Sequence, residues 1–149
     1  MQGKRGLIMG LANDRSLAWG IARALHEQGA ELAFSYQGES LEKRVRPLAA
    51  ELGSELLVDC DVSDMKALDK TFDALKEQWS KLDFVVHAIG FSDKNELRGK
   101  FVDTSMDNFL MTMNISVYSF VAVAQRARAL MEPGGSLLTL TYYLSLIHI

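Results

Sequence analysis

The chain has 149 residues, a formal net charge of −3 and 48% hydrophobic side chains, enough for a single domain with a proper core. No block of like charges occurs, which argues against nucleic acid or an anionic membrane surface as the main partner, and the single cysteine, Cys60, has no internal disulfide partner. With no charged and then apolar leader and no apolar run of about 18 residues, a membrane is not expected as a partner and the cytoplasm is the expected compartment.

The first apolar run, Lys4 to Met9, reads as a strand that breaks at Gly10, and a helical pattern resumes from Ser16 to Gln28. A strand that turns sharply beneath a pyrophosphate needs a residue without a Cβ where the backbone meets the ligand, and Gly10 supplies it. The helix that follows offers unpaired amides and the positive end of its dipole to phosphates. Ser16 adds a hydroxyl donor there, and Gly20 is expected to let the helix lie close to the sheet. The spacing is Gly10, five residues, Ser16, three residues, Gly20, which is not GxGxxG. By itself it fits equally well an α/β domain that binds nothing.

Gly29 stands where a C-terminal helix cap belongs, and a second strand follows at Glu31 to Tyr36. The next helix, from about Ser40 to Leu52, contains Pro47, which should kink it or delay its start. Gly53 closes that unit. A third strand, Glu55 to Asp59, leads to a helix from Ser63 in which Met65, Leu68, Phe72, Leu75 and Trp79 recur at helical spacing. Asp83 to Ala88 is a fourth strand, continued by Ile89 and Gly90. A polar loop precedes a long helix from about Ser105 to Met131, ended by Pro133, Gly134 and Gly135, and the fifth strand is Leu137 to Tyr142. Four strand–helix units and a closing strand imply an α/β fold with a doubly wound parallel sheet of the Rossmann type.

Ligands of such sheets bind beyond the carboxyl ends of the strands. Those exits hold Gly10, then Gln37, then Asp61 and Val62, then Ala88, Ile89 and Gly90, and finally Thr141 and Tyr142. Gln37 can bond a ribose hydroxyl without repelling a 2′-phosphate, and Lys43 and Arg44 on the next helix leave NADP open, although a solvated helix face is the favoured reading of those two cations. Asp61 can accept from the adenine amino group while Val62 packs on the ring; alternatively Asp61 caps the next helix, and both can hold. His87 invites an acid–base role, but its place on a central strand favours a packed or backbone-bonded histidine. Asn114, polar in an apolar helix, calls for a hydrogen-bond partner. No metal site is expected.

Together, Gly10, Ser16, Ala18 and Gly20, GAELAFSYQ at Gly29 to Gln37, CDV at Cys60 to Val62, HAIGF at His87 to Phe91, SVYSFV at Ser116 to Val121 and LLTLTYY at Leu137 to Tyr143 resemble the enoyl-acyl-carrier-protein reductases of bacterial fatty-acid synthesis, divergent members of the short-chain dehydrogenase/reductase superfamily. The resemblance runs from residue 3 to about residue 143. It implies reduction of the trans-2 double bond of an acyl chain on acyl carrier protein, with NADH preferred and NADPH not excluded. It places Gly10, Ser16 and Leu17 at the phosphates, Gln37 at the adenosine ribose, Asp61 and Val62 at adenine, and Ile89 near the second ribose. The backbone at Ser92 would meet substrate, and Tyr142 aligns with the first of two active-site tyrosines, beside the substrate. A homotetramer is implied for the intact enzyme.

After residue 143 the chain departs from that pattern with LSLIHI, where the family continues to a second tyrosine and, seven positions later, a lysine. Residues 1–143 are therefore expected to form the dinucleotide-binding part of a reductase, incomplete at its C-terminus, and residues 144–149 an aberrant tail that leaves the fifth strand exposed. A dinucleotide-binding fragment without catalysis of its own is the alternative. A short-chain dehydrogenase acting on a hydroxyl or ketone is disfavoured, since MGLANDRSLAWG and AIG stand where such enzymes carry TGxxxGxG and NAG.

Overall fold

A computed structural model describes residues 1–132 and 134–141. Five parallel strands form one sheet in the order β3-β2-β1-β4-β5, with β1 Arg5–Met9, β2 Glu31–Tyr36, β3 Leu57–Asp59, β4 Phe84–His87 and β5 Ser136–Thr139. Consecutive strands leave from the middle of the sheet in both directions, which is the doubly wound topology expected. The registers Met9↔Ser35, Met9↔His87 and His87↔Thr139 bring the carboxyl ends of four strands to one level. Gly10, Gln37, Ala88 and Leu140 thus stand along a common rim.

Strand residues alternate between two cores. Leu7, Met9, Ala33 and Val85 face α3 (Met65–Trp79) and α5 (Ser119–Ala127), whereas Ile8, Leu32, Phe34 and Val86 face α1 (Leu17–Glu27) and α2 (Gly38–Glu51). The apolar row of α3 is buried as its spacing predicts, through Leu68, Phe72, Leu75 and Trp79.

Two helices differ from expectation. Pro47 does not delay α2, which begins at Gly38; it sits on an exposed side of a helix that runs on to Glu51. The long helix predicted from Ser105 to Met131 is continuous but not uniform. It consists of α4 (Met106–Met113), a π-helical turn at Asn114–Tyr118, α5 and a short 3-10 turn at Arg128–Leu130. In the wide turn Ser119 gives its amide to the Asn114 carbonyl and its hydroxyl to the Ile115 carbonyl at 2.6 Å. The hydroxyl therefore satisfies a carbonyl that an ordinary helical turn would pair with the same residue's amide. All four residues of β5 are exposed.

Candidate functional site: a cleft at the strand exits

The strand exits enclose a cleft of about 300 Å3 whose lining includes Gly10, Gln37, Asp61, Val62, Ile89 and Phe91. It crosses the sheet from the β3 exit, over β1, to the loop after β4.

At the β1 exit, Gly10 has φ +93°, and a Cβ there would lie 2.1 Å from the Ala88 carbonyl oxygen. Glycine is therefore required by the neighbouring strand's backbone as well as by any ligand. Ser16 precedes α1 but does not cap it. Its Oγ instead accepts from the amides of Ala12 at 3.1 Å and Asn13 at 3.0 Å. With both lone pairs taken, the hydroxyl proton is left to donate outward. The amides of Leu17 and Ala18 donate to nothing among the described residues, and the Leu17 side chain is 73% exposed, so what Leu17 brings is its backbone. These donors suit an anion. Gly20 does not hold the helix to the sheet: it is exposed, a Cβ would meet nothing within 4 Å, and the residues buried against the strands are Ala18, Trp19 and Ala22.

At the β2 and β3 exits the two polar candidates are bonded to each other. Gln37 Nε2 donates to Asp61 Oδ2 at 2.8 Å, and Asp61 Oδ1 accepts from the amide and hydroxyl of Ser63 at 2.8 and 2.6 Å. Asp61 is not the helix cap; Asp64 is, accepting from the Lys66 amide at 2.9 Å. Gln37 thus keeps its carbonyl oxygen and its second amide proton to meet a hydroxyl. Val62 lines the cleft with a small part of its surface and is otherwise in the core, at 6% exposure. Cys60 also lines the cleft, and burial pushes its thiol pKa up, which makes it an inert wall. Lys43 is exposed and faces Glu39, and Arg44 is exposed as well; neither lines the cleft, in keeping with a solvated helix face.

On the far side, Ile89 and Phe91 line the cleft, and the loop carrying them is tied to the long helix. The Phe91 amide donates to Ser116 Oγ at 3.0 Å, and the same hydroxyl donates to the Phe91 carbonyl at 3.1 Å. Asn108 Oδ1 accepts from the Asp93 amide at 3.0 Å, and Thr112 donates to Ser92 Oγ at 2.9 Å. The Ser92 side chain is thereby turned to the helix and does not line the cleft.

His87 is fully buried, and its pKa is lowered by that burial. Its Nε2 lies 2.7 Å from Ser119 Oγ and its Nδ1 3.3 Å from Thr139 Oγ1. Because the Ser119 proton goes to the Ile115 carbonyl, Nε2 must carry the imidazole proton and Nδ1 must accept from Thr139. His87 is a neutral tie between β4, α5 and β5, bonded through the side chains of Ser119 and Thr139. Asn114 is exposed, and its side chain makes no hydrogen bond among the described residues, so the partner its polarity called for is not there. Tyr142 lies outside the described residues.

A doubly wound parallel sheet with free amides at its first helix and a cleft spanning the strand exits defines an α/β domain of the Rossmann class. The model of the enoyl-(acyl carrier protein) reductase family matches residues 10–149, and the chain belongs to that family. Enoyl-[acyl-carrier-protein] reductase [NADH] 2 of Rhizobium meliloti is 64% identical over 142 residues, which are 95% of this chain and 53% of that protein. Among solved structures, the Anaplasma phagocytophilum reductase in complex with NAD superposes with a TM-score of 0.95 at 56% identity, covering 100% of this chain and 57% of that one. The Bacillus cereus enzyme with NADP+ and an indole naphthyridinone gives 0.94 at 45% identity, covering 99% and 58%. The chain spans about half the length of the curated relatives it matches. Among the described residues no helix is long and apolar enough to cross a membrane.

Proposed function

We propose that this chain supplies the cofactor-binding part of an enoyl-acyl-carrier-protein reductase that uses NADH. The observation that carries the proposal is the cleft itself, with the Gln37–Asp61 pair at the β2 and β3 exits for an adenosine; the Ser16 hydroxyl and Leu17 amide do not line it but stand behind Ala12, which does and whose amide Ser16 holds.

Gly10 leaves room beneath the phosphates, and the Ser16 hydroxyl with the Leu17 amide holds them. The Gln37 carbonyl accepts from the adenosine ribose, and Asp61 and Val62 meet adenine. Ile89 borders the second ribose, with the backbone at Ser92 toward the substrate and Tyr142 beside it. Bound in this way, NADH supplies a hydride to C3 of a trans-2-enoyl chain, with a proton added at C2. The chain's own part is to fix the cofactor's position across the sheet, so that reaction with the acyl group presented by acyl carrier protein takes place at one end of the cleft. In this reading NADH is preferred with NADPH left open, the whole protein is a cytoplasmic homotetramer, and acyl carrier protein is its partner.

The test is a fluorescence titration of the chain with NADH, alone and after Ser16→Ala. Micromolar binding that weakens about tenfold in the variant supports the phosphate assignment. Absence of binding overturns it. Oxidation of NADH on adding a trans-2-enoyl thioester separates a reductase from a domain that only binds.

A further inference from the structure

The long helix carries a polar seam that its apolar appearance conceals. Ser105, Asn108, Thr112, Ser116 and Ser119 follow one another at steps of three, four, four and three residues, which keeps them on one side of a helix. Each is engaged. Ser105 receives Glu96 on both its amide and its hydroxyl, at 2.9 and 2.8 Å; Asn108 and Thr112 hold Asp93 and Ser92; Ser116 holds Phe91; Ser119 holds His87. The loop after β4 is therefore fastened to the helix at successive points, in reverse order along the two segments.

Ser116 differs from the others in what it grips. Its single oxygen closes both polar groups of one residue, accepting from the Phe91 amide and donating to the Phe91 carbonyl. Phe91 is 53% exposed, so its side chain does not anchor the loop, and neither of its backbone groups has another partner among the described residues. Ile89 and Gly90, two residues and one residue upstream, form the wall of the cleft on the side away from Gln37 and Asp61. The π-helical turn at Asn114–Tyr118 contains Ser116, so the grip is made from the one place where the helix departs from ordinary winding in its interior.

We infer that Ser116 is a positioning residue for the half of the dinucleotide that lies over β4: by locking the Phe91 peptide it sets the Ile89–Gly90 wall before ligand arrives. Without the hydroxyl that segment must be ordered at the moment of binding, and the affinity falls accordingly. The adenosine half, over β2 and β3, is held by residues that Ser116 does not touch. This rests on the dinucleotide reading of the cleft given above.

The experiment compares NADH with ADP, which keeps adenosine and phosphates but lacks the second nucleoside, on the chain as it stands and on Ser116→Ala and Ser116→Thr. The expected result is about tenfold weaker NADH binding in Ser116→Ala with ADP affinity and melting temperature unchanged, and recovery in Ser116→Thr, which restores the hydroxyl. Faster hydrogen exchange at the Phe91 amide in the alanine variant alone accompanies that outcome. Equal loss for both ligands with a lowered melting temperature assigns Ser116 a merely structural role and overturns the inference, as does unchanged NADH affinity. If the unaltered chain binds ADP but not NADH, the inference fails while the adenosine site stands; if it binds neither, the reading of the cleft itself fails.

Discussion

The units built on β1, β2 and β3 and the region from α4 to β5 belong to one sheet but are held together in different ways. α3 buries Leu68, Thr71, Phe72, Leu75 and Trp79, while the one residue that α4 buries is a polar one, Asn108. Most exposed large apolar side chains follow the same division: Phe101, Val102, Met106, Phe109, Leu110, Met113, Val117, Tyr118 and Val121 come after residue 100, whereas in the first three units only Met1 and Leu17 are of this kind among the described residues. The side of the cleft over β2 and β3 thus stands on a close-packed core, and the loop that walls the opposite side is tied to its helix by hydrogen bonds. A packed core tolerates the loss of one hydrogen bond; a seam of single hydroxyls does not, which is why one serine is expected to matter on that side.

The largest effect should separate the two regions directly. Leu68 is fully buried, so Leu68→Ala is expected to cost about 3 kcal/mol, read as a fall in the urea midpoint. Phe109 is 47% exposed, and Phe109→Ala should change stability by less than about 0.5 kcal/mol. Comparable losses at the two positions would break the contrast.

Next in size is Gly10→Val. The positive φ, and an Ala88 carbonyl oxygen 2.1 Å from where the new Cβ would stand, predict a loss of about 2 kcal/mol together with weaker NADH binding. If binding weakens while stability is untouched, the glycine serves the ligand alone and the backbone constraint between β1 and β4 is not limiting.

His87 sharpens the comparison through pH. Burial lowers its pKa in the folded chain, so as pH falls the unfolded chain takes up the proton first. Its contribution is fully present above the ordinary histidine value of 6.5 and declines below it, at up to about 1.4 kcal/mol per pH unit. Urea midpoints at pH 7.5 and 5.5 measure this, and His87→Gln, which does not titrate, should remove that share of the slope. A slope unchanged in the variant would mean that the acid sensitivity comes from elsewhere.

The apolar spacing made the first three units legible from sequence, since burial on one helix face and alternation along a strand are written in residue order. Gly10, Gln37, Asp61, Val62 and Ile89 were legible as cleft residues because strand exits of a parallel sheet converge whatever the details. What the order of residues does not carry is which side chains satisfy each other. Gln37 and Asp61 are 24 positions apart and each reads as a separate ligand contact, yet they bond to one another. The seam shows as five polar residues at helical spacing, but in a stretch otherwise rich in Phe, Met and Val the apolar residues dominate the pattern and Asn114 draws the eye first. The π-helical turn has no composition signal at all, and Gly20, read as a packing glycine, faces open space.

The smallest expected effect concerns the Gln37–Asp61 pair and the choice between NADH and NADPH. A 2′-phosphate needs donors and no nearby negative charge. The pair offers the reverse: one proton of the Gln37 amide is already given to Asp61, its oxygen is an acceptor, and the Asp61 carboxylate is 2.8 Å from that nitrogen. Asp61→Asn removes the charge, and because the new amide can donate to the Gln37 oxygen, it also leaves both Gln37 amide protons, instead of one, to point at a phosphate. Both changes favour NADPH, so the ratio of NADPH to NADH affinity should rise about fivefold, about 1 kcal/mol, with the gain shrinking at high salt. Gln37→Asp should move the same ratio the other way by adding a second carboxylate. If neither substitution moves it, the pair does not face the 2′ position, and the adenosine would have to lie across the exits in another orientation.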